Sequence, residues 1–284
     1  MNYFLLVGLG VIWGSSYLFI RIAVAEVPPI TLVAARLVLS ALVLIAVVRA
    51  TGRPFPRDRK LWAAYAVMGF LSGALPYVLI AWGEQYIHSS LAALLQATMP
   101  IFTVILASFL ADDEHLSWTV VLGVFLGFLG VAVLMIPDLR HGLQANILGQ
   151  LAIVASSLSY AGATVFARNR LRGQPPLTST LGQLTMGALF TLPLSLVVDR
   201  PFTLSPSFPA IASWLALTFM GTVVAYVIYY ALIERASATF VSTVTYIIPI
   251  VGLILGALVL HEPVTINLLI SMALIIVGVL MVRT

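Results

Sequence analysis

The sequence predicts an all-helical integral membrane protein with ten transmembrane helices, arranged as two inverted-topology five-helix repeats. Three observations carry this. The 284 residues are 61% hydrophobic and only 8% charged, with a mean hydropathy of +1.10, where a soluble domain carries roughly a quarter charged residues. Apolar runs long enough to cross about 30 Å of hydrocarbon recur along the whole chain, which leaves no room for a soluble domain. The second half of the sequence also repeats the first.

The runs fall at 3–24, 30–49, 61–83, 89–111, 118–136, 147–168, 177–198, 210–233, 238–260 and 264–282. All are too long and too evenly apolar for barrel strands, which alternate over about ten residues. Helix 1 has a signal-like Ala23-Val24-Ala25, but no basic start precedes it and Arg21 stands where cleavage would fall, so it reads as a span. Helices 2 and 7 open on Pro28-Pro29 and Pro175-Pro176, since proline suits a first helical turn. Helix 3 carries Gly69, Gly73 and Pro76, whereas helix 8 keeps only Gly221, an inequality that predicts helices 3 and 4 as the more mobile. Helices 4 and 9 hold Pro100 and Pro249 near their centres. Glycines in helices 5 (Gly123, Gly127, Gly130) and 9 (Gly252, Gly256) mark close helix contact. Helix 6 is lined with Ser156, Ser157, Ser159 and Tyr160.

Charge sorts the loops. Arg49, Arg53, Arg57, Arg59 and Lys60 follow helix 2, Arg168, Arg170 and Arg172 follow helix 6, and Arg235 and Arg283 share that side; Arg140, Arg200 and Arg21 mark the other. The positive-inside rule then places both termini in the cytoplasm. The basic excess, net +4, is spread over short loops, so it sets orientation rather than a nucleic-acid surface. With no cysteine, disulfides, thiolate metal sites and cysteine nucleophiles are excluded. There is also no phosphate loop, no H-E-x-x-H and no G-x-S-x-G. Neither an enzyme nor a bound metal or cofactor is implied.

A shift of 147 aligns residues 13–55 with 160–202 without a gap, at eleven identities that include Arg21 with Arg168 and Pro28-Pro29 with Pro175-Pro176. Slightly larger offsets pair Pro100 with Pro249, Glu114 with Glu262 and Gly130 with Gly278. The predicted units are residues 1–137 and 147–284. Five helices per unit is an odd number, so the second unit enters the membrane from the opposite side. That arrangement is typical of secondary transporters, with sites near the midplane between repeats.

Trp13-Gly14, Pro28-Pro29, Arg36 and the run from Glu234-Arg235 through Pro249 to His261-Glu262-Pro263 and Gly278 resemble the EamA type of the drug/metabolite transporter superfamily. Ten helices, no accessory domain and a basic cytoplasmic loop are similar to its bacterial aromatic amino acid exporter (YddG-like) branch. The resemblance implies export of amino acids, aromatic and other, and of related small metabolites across the bacterial inner membrane by alternating access, through a central cavity. Efflux of drugs, purines or other metabolites is the alternative within transport, and a lipid-processing or scaffold protein the alternative outside it. The partners implied are a small-molecule substrate and the lipid bilayer, with no nucleic acid and no obligate protein partner.

Candidate site residues follow from what hydrocarbon tolerates. Proline cannot donate to the carbonyl four residues back and its ring pushes that carbonyl aside, so Pro100 and Pro249 predict freed oxygens at Gln96 and Thr245 facing a cavity; Pro76 is a third candidate hinge or helix break. Gln96 brings four hydrogen-bonding sites to mid-depth. Trp13, Tyr17, Tyr77, Tyr160, Tyr226, Tyr230 and Tyr246 form a candidate aromatic wall for an amphipathic ligand, whereas Trp82 reads as an interfacial anchor. Arg36 is the candidate contact for a substrate carboxylate, against a structural reading in which it reaches Glu26, Glu84 or water.

Overall fold

The computed structural model describes residues 2–52, 58–110, 117–139, 145–236 and 238–282. Arg53, Arg57, Asp112, Asp113, Glu114, Arg140 and Arg283 lie outside the described residues, as do the side chains of Tyr230 and Glu234. Every predicted span forms a helix: α1 (Asn2–Ala23), α2 (Pro29–Ala50), α3 (Arg59–Gly83), α4 (Ser89–Phe109), α5 (Trp118–Ile136), α6 (Asn146–Arg170), α7 (Pro176–Val198), α8 (Phe208–Tyr229), α9 (Phe240–Val259) and α10 (Ile266–Val282). Among the described residues nine of these are long and apolar enough to cross a membrane, and α10 is shorter. Its start is displaced because His261 to Thr265 are taken by the preceding turn.

Four helices are not continuous. In α3 and α8 a π-helical turn interrupts the α-helix, at Gly69–Ala74 and Phe219–Val224. These turns sit 150 positions apart, so both repeats carry one although their glycine content differs; glycine is therefore not what makes the turn. In α4 the helix breaks at Ala97-Thr98 and resumes at Met99–Leu110, which puts Pro100 in a first turn, where its missing N–H costs nothing. Pro249 instead lies inside a continuous helix, Val244–Val259, and the break near it comes earlier, at Thr243. Pro76 follows directly on the π turn of α3. Pro193, inside α7, is a further proline that the helix accommodates.

The packing has the symmetry of the repeat. Helix α2 packs on α7, α5 on α10 and α4 on α9, each a helix with its own counterpart; α1 packs on α8 and α9 as α6 packs on α3 and α4. The self-paired contacts need small residues. A Cβ on Gly123 would sit 2.7 Å from the Gly278 carbonyl, and one on Gly278 would sit 2.6 Å from the Gly123 carbonyl, so α5 and α10 touch backbone to backbone. Gly69 of α3 meets the Gln183 carbonyl of α7 in the same way, at 2.7 Å. In a bilayer such close approach supplies the dispersion contacts that hold helices together.

Gly123→Val should therefore lower stability by roughly 1–3 kcal/mol through overpacking, read as the thermal unfolding midpoint in detergent. Gly8→Ala, at a position with no atom within 4 Å of the added carbon, should leave the midpoint unchanged or raise it slightly, because alanine favours the helix.

Candidate functional site

The centre of the bundle is organised by Arg36. It lies in the second turn of α2, only 7% exposed, and does not reach toward Glu26 or Glu84. Its Nε donates to Thr222 Oγ1 at 2.9 Å and Nη2 to the Gly221 carbonyl at 3.5 Å. Both acceptors belong to the π turn of α8. Thr222 Oγ1 in turn donates to the Leu217 carbonyl, five residues back, at 3.1 Å. A π turn widens the helix and leaves carbonyls off the regular ladder, and this one hands them to a cation. Gly221 makes room: a Cβ there would lie 3.4 Å from Arg36 Nη2 and 3.0 Å from Ser16 Oγ.

The guanidinium lies 4.3 Å from the centre of the Tyr77 ring, a cation–π contact strengthened by desolvation. Tyr77 meets Tyr160 of α6 at 6.4 Å between ring centroids. Tyr160 is also within electrostatic range of Tyr17, Tyr226 and Arg36. Five predicted site residues on five helices, Tyr17, Arg36, Tyr77, Tyr160 and Tyr226, thus share one region. Among the described residues no carboxylate pairs with Arg36, so the cluster carries an uncompensated buried charge.

The other candidates group differently. Trp13 stacks on Tyr229 at 5.7 Å, within a separate small core that includes Leu9, Ala225 and Val244. Gln96 faces α6, where Ser156 donates to its Oε1 at 2.6 Å while its buried Nε2 has no partner. Tyr246 packs against the main core. The break at Pro100 is met by hydroxyls, but they gather on the Leu95 carbonyl, from Thr98 at 2.7 Å and Ser157 at 3.4 Å. Near Pro249 the Thr245 hydroxyl bonds back to the Ser242 carbonyl at 2.9 Å. Two cavities, of about 200 and 300 Å³, lie instead near the loops after α1, α3 and α7, and none of the predicted aromatic residues lines either.

Sequence reasoning missed Thr222 and its counterpart. The shift that aligns α2 with α7 pairs Arg36 with Gln183, and the shift that aligns the π turns pairs Thr222 with Ser72. Ser72 donates to Gln183 Oε1 at 3.2 Å. The same link between a π turn and a neighbouring helix is built twice, once around a cation and once around a neutral amide.

One face of the bundle, holding the loops after α1, α3, α7 and α9, is fastened across the halves by carboxylates. Glu26 accepts from Ser207 N at 2.6 Å and Ser207 Oγ at 2.5 Å. Asp199 accepts from Thr31 N at 2.9 Å and Thr31 Oγ1 at 2.8 Å. Glu262 accepts from Ser89 N at 2.7 Å, Ser89 Oγ at 2.9 Å and Ser90 N at 3.0 Å, capping the N-terminus of α4 from the other repeat. The Glu262 amide closes on the Gly256 carbonyl at 3.0 Å, six residues back, with His261 in the left-handed region at φ 54°, a reversal that ends the helix. Gly256 is required beneath it, since a Cβ would fall 2.4 Å from Glu262 Oε2.

Comparison with known proteins decides the family. Residues 1–136 and 147–284 each match the EamA-like transporter family. The chain belongs to that family. It is thus a transporter of small molecules rather than an enzyme, built by duplication of one helical unit. It is 22% identical to the uncharacterized transporter YoaV of Bacillus subtilis, over 97% of this chain and 94% of the relative. It is 27% identical to the uncharacterized transporter YvbV of the same organism, over 99% and 90%, and 27% identical to the uncharacterized inner membrane transporter YedA of Escherichia coli K12, over 88% and 80%. A solved crystal structure shares the fold, with a TM-score of 0.68 at 18% identity, covering 99% of this chain and 95% of that one.

The Glu262 cap yields a test. Burial pushes its carboxyl up, but the hydrogen bonds from Ser90 and Ser89 outweigh burial and hold it below the usual carboxylate range. A depressed value means the contribution is present above the unfolded value and is lost as pH falls through the folded one. Glu262→Gln should cost about 1–3 kcal/mol near neutral pH, and the difference from the parent should shrink as a thermal unfolding series is carried into the acid range.

Proposed function

We propose that this EamA-family transporter exports amino acids, aromatic and other, together with related small carboxylates, by alternating access, from a site built on Arg36, Tyr77, Tyr160, Tyr17 and Tyr226. The observation that carries the reading is the Arg36 guanidinium. It is buried, lies against an aromatic face, is held from one side by the π turn of α8, and has no carboxylate partner among the described residues. A buried unpaired cation is unfavourable by several kcal/mol, and a substrate carboxylate removes that deficit while tyrosine rings cover an apolar or aromatic side chain. Tyr77 and Tyr160 face each other at 6.4 Å between ring centroids, and substrate enters between them as the halves separate. Gln96, with a buried amide nitrogen still free to donate, extends the site on the α4 side.

The basic loop residues Arg49, Arg59, Lys60, Arg168, Arg170, Arg172 and Arg235 share the face of the chain termini, and Arg21 and Arg200 lie at the other. This supports termini in the cytoplasm and a bacterial inner-membrane location.

Two measurements test the proposal. Counterflow of labelled phenylalanine into liposomes holding the purified protein should exceed that of phenethylamine, which lacks the carboxylate, and Arg36→Gln should raise the concentration for half-maximal flux by about 10- to 100-fold, as loss of a charged hydrogen bond does. Equal flux of the two compounds, or an unchanged Arg36→Gln protein, rules the site out. For orientation, single cysteines introduced at Phe202 and Gly173 should label differently in intact cells: a membrane-impermeant maleimide should reach the first and not the second.

A further inference from the structure

Glu84 follows directly on α3, at the face fastened by Glu26, Asp199 and Glu262. Unlike those three, it makes no latch. It is 0% exposed, and neither carboxylate oxygen has a hydrogen-bond partner. Arg21, the adjacent cation, does not bridge to that carboxylate but donates to the Glu84 backbone carbonyl. An ionised carboxylate is not stable in such a place, because burial without hydrogen bonds costs it far more than a neutral carboxyl.

The neighbours sharpen this. Glu262, from the opposite repeat, bears on Glu84 electrostatically and is itself committed as an anion to the N-terminus of α4. From α1 come Arg21 and, within electrostatic range, Tyr17; His88, more than half exposed in the same loop, lies 3.9 Å from Glu262. Helix α6, packed tightly beneath through Gly83 against the Gly149 carbonyl, brings the amides Asn146 and Gln150 to the neighbouring cavity of about 200 Å³, which Arg21 and His88 also line. Burial raises the Glu84 carboxyl well above its ordinary value, the Glu262 charge raises it further, and Arg21 offsets part of this. Two acids within electrostatic range across the halves thus differ in protonation, Glu262 held as an anion by its hydrogen bonds and Glu84, buried without any, neutral.

We propose that Glu84 is a proton-binding site that gates this face: it holds a proton while the face is closed, and releases it when the loops after α3 and α9 part. In that step the carboxyl O–H bond breaks, the proton passes to water entering by the polar cavity, and the carboxylate left behind is hydrated. Closure therefore binds a proton that opening gives up. Because the closed-state value is the raised one, closure is favoured below it and is lost as pH rises through it. The reading of the chain as an alternating-access transporter gives this opening its purpose, and neither measurement below needs a substrate.

The absence of native cysteine allows spin labels at Tyr86→Cys and Val264→Cys, exposed positions on the two loops, in full-length protein in lipid nanodiscs. The distance between them should lengthen as pH is raised, while Glu84→Gln, which imitates the protonated acid, should stay at the short value over the same range. Glu84→Asp, still titratable, should retain a pH response and so guards against mere misfolding. Infrared spectra near neutral pH should show a neutral-carboxyl C=O stretch that Glu84→Gln removes. A pH response unchanged in Glu84→Gln, no pH response in the parent, or no carboxyl band lost on substitution would overturn the proposal.

Discussion

Everything in this chain answers to one constraint: hydrocarbon offers no hydrogen bonds, so each polar group inside it must be met by the protein. Most are met by the helices themselves. The exceptions are the two π turns, the breaks in α4 and near Thr243, and Arg36, and each is served by a nearby hydroxyl or carbonyl. Thr98 and Ser157 reach Leu95, Thr245 reaches Ser242, and Thr222 reaches both Leu217 and Arg36. The irregular backbone is concentrated in α3, α4, α8 and α9, which surround the aromatic cluster.

Duplication supplies a scaffold, but a symmetric scaffold alone binds nothing in particular. The proposed site lies where the copies diverge. At one junction Gln183 accepts from Ser72; at its counterpart Arg36 donates to Thr222. The frame is shared, and the exchange of an amide for a guanidinium turns a neutral packing link into a buried cation that calls for an anion. Tyr77 adds to this, since its position in α8 is taken by Val227, which is exposed. The charge and the ring that covers it therefore belong to the first repeat, while the acceptors that orient the charge belong to the second. Motion of one half against the other must disturb that arrangement, so under the proposed function substrate binding and alternation of the two faces would draw on the same contacts.

The fold was legible because its signals are local. Apolar length, loop arginines and recurring Pro-Pro pairs locate ten helices and the duplication without reference to any contact. Pro100 and Pro249 also announced irregularity, yet where the helix yields was not written in the prolines: at Pro100 the ring settles into a first turn, and near Pro249 the helix yields six residues earlier, at Thr243. The π turns were not legible, because GFLSGA and FMGTVV share no residue pattern at matching positions. Arg36 stood out as a cation inside a span, but its partner Thr222 lies 186 residues away; only the repeat arithmetic that pairs Arg36 with Gln183 would have pointed to it. Glu84 read as an ordinary acid at a helix end, since burial by the opposite repeat is a tertiary fact.

Inversion gives the acids at the closed face a further meaning. The shifts that align the repeats carry Glu84 onto Glu234, Glu262 onto Glu114 and Arg21 onto Arg168. The same three residue types are therefore encoded for the opposite face, by the other half in each case. At the face described here, the set is assembled between halves: Glu262 caps the partner repeat's helix, and Glu84, fully buried, lies within its electrostatic range. Contact of that kind cannot be complete at both faces of a rocking pair at once, because closing one mouth draws the halves apart at the other. In the proposed alternation the two faces thus compete for one interface, with Glu84, Glu262 and Arg21 matched in sequence at the other face. Such competition makes two states of similar energy, without requiring the sequence to balance two unrelated structures.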